Sequence, residues 1–120
     1  MKVVTLREVA SEPAVSALFT GEVSRQVPFD ASEMNSVNFG IVRFSAGSRN
    51  KFHKHTSDQI LVITDGTGVV ATDGEERIVN AGDVILIPAG ENHWHGAPHN
   101  TPMSHITIQA KGSTTEQTEK

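Results

Sequence analysis

Histidine set at alternate positions in strand-like runs constrains this chain more than any other feature. The runs are His53-Lys54-His55 and His93-Trp94-His95, with Gln59 four residues beyond His55. Successive side chains of an extended strand point to opposite faces. Residues i and i+2 therefore share a face, about 7 Å apart at a rise of about 3.3 Å per residue. Two imidazoles at that spacing can converge on one ion, with metal–nitrogen bonds of about 2.1 Å. A third histidine and an amide oxygen from neighbouring strands would complete the pocket. The pattern predicts a metal site inside a small β-barrel.

The rest of the chain narrows the setting. At 120 residues it is expected to be one domain, able to bury about two-thirds of its unfolded surface. Hydrophobic residues make up only 37%, which favours a homodimer or higher homo-oligomer for extra burial. The net charge is −4 with no basic stripe, so nucleic acid is not an expected partner. The absence of cysteine removes disulfides, thiolate nucleophiles and zinc-ribbon ligands. No run approaches the ~18 apolar residues of a membrane span, and Met1–Glu8 lacks a signal-type apolar stretch. Cytoplasmic placement, with no membrane partner, is the expectation.

Glycine punctuates a succession of predicted strands. An N-terminal arm over residues 1–30 is expected to pack on the barrel. It carries a strand over Val3–Leu6, a turn or short helix around Pro13–Leu18, and a strand over Thr20–Val27. The barrel is expected over residues 31–111. Its strands are Val37–Ser45, Lys51–His55, Gln59–Thr64 (ended by Asp65-Gly66), Val69–Thr72, Glu75–Val79, Val84–Ile87, Asn92–Gly96 and Met103–Ala110. Asp73-Gly74 is a two-residue hairpin signal. Residues 112–120 are polar and expected to form a disordered tail. Many short strands at even spacing predict an all-β sandwich or barrel. The runs Gln59–Ile63 and Val84–Ile87 are apolar on both faces, so the N-terminal segment or a second subunit is expected to cover one of them.

The motifs Gly47-x5-His53-x-His55-x3-Gln59-x6-Gly66 and Gly82-x5-Pro88-x-Gly90-x2-His93, fifteen residues apart, resemble the two signature motifs of the cupins. Gln59 stands where glutamate is usual, and Ala97 where asparagine is often found. The resemblance implies a single-domain double-sheet jelly-roll barrel. Over residues 18–110 the chain is similar to the bacterial manganese-dependent cupin hydroxynitrile lyases, through Leu18-Phe19-Thr20-Gly21, the histidine runs and Met103-Ser104-His105-Ile106. That likeness implies His53, His55, Gln59 and His93 as ligands to one divalent ion, manganese first. His95 and His105 match histidines near the metal, and Gly40, Val42 and Gln109 match pocket-lining positions.

The residue types carry the same ligand set. Neutral imidazoles suit manganese, iron, nickel, copper or zinc. Gln59 in place of an acid leaves the full dipositive charge on the ion, which favours anions and polarises hydroxyl or carbonyl oxygens. Two readings of His95 stand side by side: it orients a ligand or holds a proton, or it lines the barrel mouth. His105 reads as an acid/base or as a satisfied core histidine. Val42, Leu61, Ile63 and Gly40 are expected to accept an aryl or alkyl group. Trp94, Arg43 and Lys54 fall on the opposite parity, and His99 lies in a solvent-facing loop. The leading expectation is a metal-dependent enzyme on a small organic molecule, of lyase type, cleaving or forming cyanohydrins. The alternatives are a metal-dependent dioxygenase and a non-catalytic metal- or ligand-binding module.

Overall fold

Several strands carry an inner face that grades from apolar at one end to polar at the other, and that gradient organises the molecule. A computed structural model describes residues 1–120. Its strands are β1 (Glu12–Pro13), β2 (Phe19–Thr20), β3 (Val23–Gln26), β4 (Val37–Phe44), β5 (Arg49–Asn50), β6 (His53–His55), β7 (Gln59–Thr72), β8 (Glu76–Asn80), β9 (Val84–Ile87), β10 (His93–Gly96), β11 (Met103–Ala110) and β12 (Thr115–Gln117). One antiparallel sheet runs β1-β3-β4-β11-β7-β9. The other runs β8-β7-β10, with β5 and β6 both against β10, β2 on β5 and β12 on β6. The all-β jelly-roll barrel is closed by β7, which belongs to both sheets.

On β11 the inward residues read Met103, His105, Thr107, Gln109. Their partners on β4 read Phe44, Val42, Gly40, Asn38. Phe44 and Met103 join Val23, Leu61, Ile63, Val70 and Ile87 in the buried core. Strand pairing thus lays the apolar ends together and the polar ends together. Burying each large apolar side chain contributes roughly 1.5–3 kcal/mol, so the closed end carries the stability and the open end is free to carry chemistry.

Four expectations need correction. Gln59–Thr64 does not end at Gly66: β7 runs on to Thr72. Gly66 takes a positive φ of 76°, and a Cβ there would overlap the Pro102 carbonyl. Glycine here permits a close approach and a change of sheet rather than a stop. Val3–Leu6 is not a strand. The chain instead makes a short 3-10 turn over Leu6–Glu8, because the Gln26 side-chain amide donates to the carbonyls of Leu6 and Val9. Residues 112–120 are not a loose tail, since β12 pairs with β6. Finally, of the two covers expected for Gln59–Ile63 and Val84–Ile87, the N-terminal segment is not the one: Ile60 is 38%, Leu86 63% and Val84 66% exposed in the single chain.

Candidate metal centre

Strand pairing assembles the histidines. β10 lies antiparallel to β6 with His93 opposite His53, and His55 follows on the His53 face. Gln59 starts β7. One ring nitrogen from each of His53, His55 and His93 lies within 4.8 Å of the other two. All three rings are buried, as is Gln59.

The hydrogen bonds leave the inward atoms bare. His53 Nδ1 is 2.6 Å from the Lys51 carbonyl, and His93 Nδ1 is 2.9 Å from the Glu91 carbonyl. A carbonyl only accepts, so each Nδ1 carries the proton and each Nε2 a free lone pair. His55 Nδ1 lies 2.9 Å from Thr115 Oγ1, and its Nε2 is buried without a partner. The Gln59 amide nitrogen donates to Thr107 Oγ1 at 3.0 Å. This turns Gln59 Oε1 to within 3.0 Å of His93 Nε2. In this orientation of the amide, two acceptors face each other, an arrangement that a cation would resolve.

A proton is poorly suited to be that cation. Burial pushes His53 and His55 down to about 4 and lowers His93 as well. Neutral imidazoles and an amide oxygen are instead a good donor set for a divalent transition ion. His53, His55, His93 and Gln59 could hold it.

A second histidine pair lies beside the first group. His105 Nε2 and His95 Nδ1 are 2.9 Å apart, and both residues are buried. The His95 main-chain N–H donates to Asn50 Oδ1 at 2.8 Å. That contact aims the Asn50 amide nitrogen at the His95 ring, 3.2 Å from Nε2. Phe44 packs on both rings, with centroids 5.8 Å from His95 and 5.5 Å from His105. Burial holds His105 down at about 4 and His95 well below its ordinary value.

Both groups open on a cavity of about 340 Å³. Gly40, Val42, Thr107, Gln109 and Thr115 line it together with His53, His55, Gln59, His95 and His105. Arg25 is the only formally charged residue on its wall, and no carboxylate faces it. Leu61 and Ile63 share the Gln59 face, but they are packed in the core and do not line this cavity. Trp94 lies against the Arg49 guanidinium, 4.5 Å from its ring centroid. Arg43 binds Gln26 and Ser104, Lys54 faces Glu116, and His99 is exposed.

Sequence reasoning missed Asn50, Thr107 and Thr115. Thr107 alone carried a usable signal, since it shares the inward parity of His105 and Gln109 on one strand.

The depressed histidines set a pH dependence for the metal-free protein. Unfolded, they take up protons near pH 6.5, whereas folded His53, His55 and His105 resist protonation until about pH 4. Between those values the unfolded chain binds more protons, so stability rises with pH. Their contribution is complete above about pH 6.5 and is lost as pH falls towards 4. The urea midpoint of metal-free protein is expected to be lower at pH 5 than at pH 7; equal midpoints would contradict the buried, neutral cluster.

Comparison with known proteins agrees with this geometry. The cupin domain model matches residues 40–109. An (R)-mandelonitrile lyase from Granulicella tundricola is 34% identical over 114 residues, covering 92% of this chain and 86% of that protein. A gentisate 1,2-dioxygenase from a Ralstonia species is 40% identical over 57 residues, which cover 47% of this chain but only 16% of that protein. Among solved structures, a cupin-like protein from Thermotoga maritima superposes with a TM-score of 0.85 at 30% identity, over 93% of this chain and 88% of its own. With two graded sheets closed around a buried histidine cluster, and a family match over most of the barrel, the chain belongs to the cupin family.

Proposed function

We propose that the protein is a metal-dependent lyase that cleaves and forms cyanohydrins. The carrying observation is the hydrogen-bonded His105–His95 pair, which opens on the same cavity as an uncharged three-histidine, one-glutamine donor set. The 34% identity to a mandelonitrile lyase over nearly the whole chain supports the reading. In cyanohydrin cleavage the hydroxyl proton leaves, a C=O bond forms, and the C–CN bond breaks with its electron pair going to cyanide, which is then protonated. An ion held by His53, His55, His93 and Gln59 would supply Lewis-acid polarisation of the hydroxyl oxygen. His105 takes the hydroxyl proton. Burial keeps the ring neutral at pH 7, with a lone pair available, but disfavours the imidazolium; the hydrogen bond to His95 offsets part of that cost when the proton arrives. The same histidine returns the proton to cyanide. Gly40 and Val42 leave room for the substituent on the carbinol carbon.

Local likeness to the gentisate dioxygenase supports a second reading, oxygen-dependent cleavage. Oxygen separates the two. Metal-loaded protein under nitrogen is expected to release cyanide from mandelonitrile, and metal-free protein is not. His105→Ala should retain metal and lower the rate about 10²–10⁴-fold, the usual scale for general acid–base catalysis. Metal-independent release at the spontaneous rate would discard the lyase reading.

We also read the protein as a homodimer. β9 pairs only with β7, so it is a sheet edge, and its Val84 and Leu86 side chains are exposed beside Ile60. An apolar edge strand is a liability unless something pairs with it or covers it, and a second copy of the same edge is self-complementary. Light scattering at micromolar concentration should give twice the chain mass, and Leu86→Lys should shift it to monomer. A wild-type monomer would contradict this assembly.

A further inference from the structure

The three clustered histidines differ in how their outer nitrogens are held. His53 and His93 each donate to the carbonyl two residues earlier in sequence. Those partners come with the local backbone. The partner of His55 Nδ1 is Thr115 Oγ1, sixty residues away and 2.9 Å distant. Thr115 begins β12, which lies antiparallel on β6 with Thr115 opposite His55 and Gln117 opposite His53.

We propose that the C-terminal strand is a working part of the metal centre: Thr115 is a positioning residue for His55, and docking of residues 113–119 and metal binding promote each other. The inference rests on reading the histidine cluster as a metal site.

How β12 is attached supports the coupling. Every residue of the strand is exposed, so little apolar burial holds it down. Polar anchors do so at both ends. The Thr114 N–H donates to Thr56 Oγ1 at 2.9 Å. Beyond the strand, Glu119 accepts from the Arg49 guanidinium at 2.6 Å and from the Phe52 N–H at 2.9 Å. Thr118 Oγ1 donates to Asn92 Oδ1 at 2.6 Å. These anchors grip the chain on both sides of His53–His55 and just before His93. Two surface ion pairs, Arg49–Glu119 and Lys54–Glu116, add to these hydrogen bonds, and a segment held only by such polar surface contacts opens at low free-energy cost.

With an ion on Nε2, His55 carries its proton on Nδ1, and the docked Thr115 hydroxyl is placed to accept that N–H. Undocked, His55 loses that partner, and its ring is free to rotate and to carry its proton on either nitrogen. An ion that binds the docked form better must, by reciprocity, favour docking. Losing the hydrogen-bond partner of a ligating histidine typically costs 10–100-fold in metal affinity.

The test uses the full chain. Zinc affinity is measured by competition with a chromophoric chelator for wild type, Thr115→Val, Thr115→Ser and Glu119→Gln. Amide exchange of residues 113–119 is followed with and without zinc. Thr115→Val should bind zinc about tenfold or more weakly, and Thr115→Ser should restore most of the affinity. Glu119→Gln, which touches no ligand, should weaken binding in the same direction. Metal-free unfolding midpoints should match for wild type and Thr115→Val, and zinc should slow exchange across 113–119. Thr115→Val binding within twofold of wild type, or exchange there indifferent to zinc, would overturn the inference while leaving the metal site intact. Wild type that takes up no zinc would instead overturn the metal reading, and this inference with it.

Discussion

Lone pairs without protons converge in the interior of this barrel. Carbonyls at Lys51 and Glu91 take the outer protons of His53 and His93, and Gln59 turns its oxygen to His93. Burial disfavours protonation of the rings, and no carboxylate faces the cavity. Buried polar groups left without partners are costly. A cation among them would relieve that cost, and much of the surrounding structure serves to bring those atoms together.

Register is what assembles the group. A one-residue slip of β10 against β6 would turn His93 and His95 outward and Trp94 inward. Two features hold the register. The graded inner faces lock the apolar ends of β4, β7 and β11 into one core, and Gly66 lets β7 cross from one sheet to the other against the Pro102 carbonyl. The electrostatic outcome follows from Gln59. An acid there would neutralise half the charge of a divalent ion, whereas the amide leaves it whole, with Arg25 the only other formal charge on the cavity wall. Such a cavity favours developing negative charge on oxygen.

Much of this was legible in the sequence, and the reasons are physical. Side-chain parity along a strand is rigid, so His53 with His55, and Gln109 with His105, could be assigned to one face before any pairing was known. The Asp73-Gly74 turn and the Met103–Ala110 strand emerged as expected, because local turn chemistry and alternation are strong there. What failed was long-range. Gly66 looked like a stop because its role depends on Pro102, thirty-six residues on. Residues 112–120 looked disordered because their composition buries nothing, yet pairing with β6 and the Arg49–Glu119 contact hold them. Asn50 and Thr115 gave no signal, since each acquires its meaning only from the histidine it meets across the barrel. Leu61 and Ile63 had the right parity but the wrong depth: parity gives the face of a strand and not the distance from the mouth.

The direct test of the metal centre is quantitative metal analysis of protein loaded with manganese or zinc and then freed of excess ion. Wild type, His53→Ala, His93→Ala and the surface control His99→Ala should be compared. One ion per chain is expected in wild type and His99→Ala, with little retained in His53→Ala and His93→Ala. Full occupancy in either of those two variants would contradict a centre built on β6 and β10.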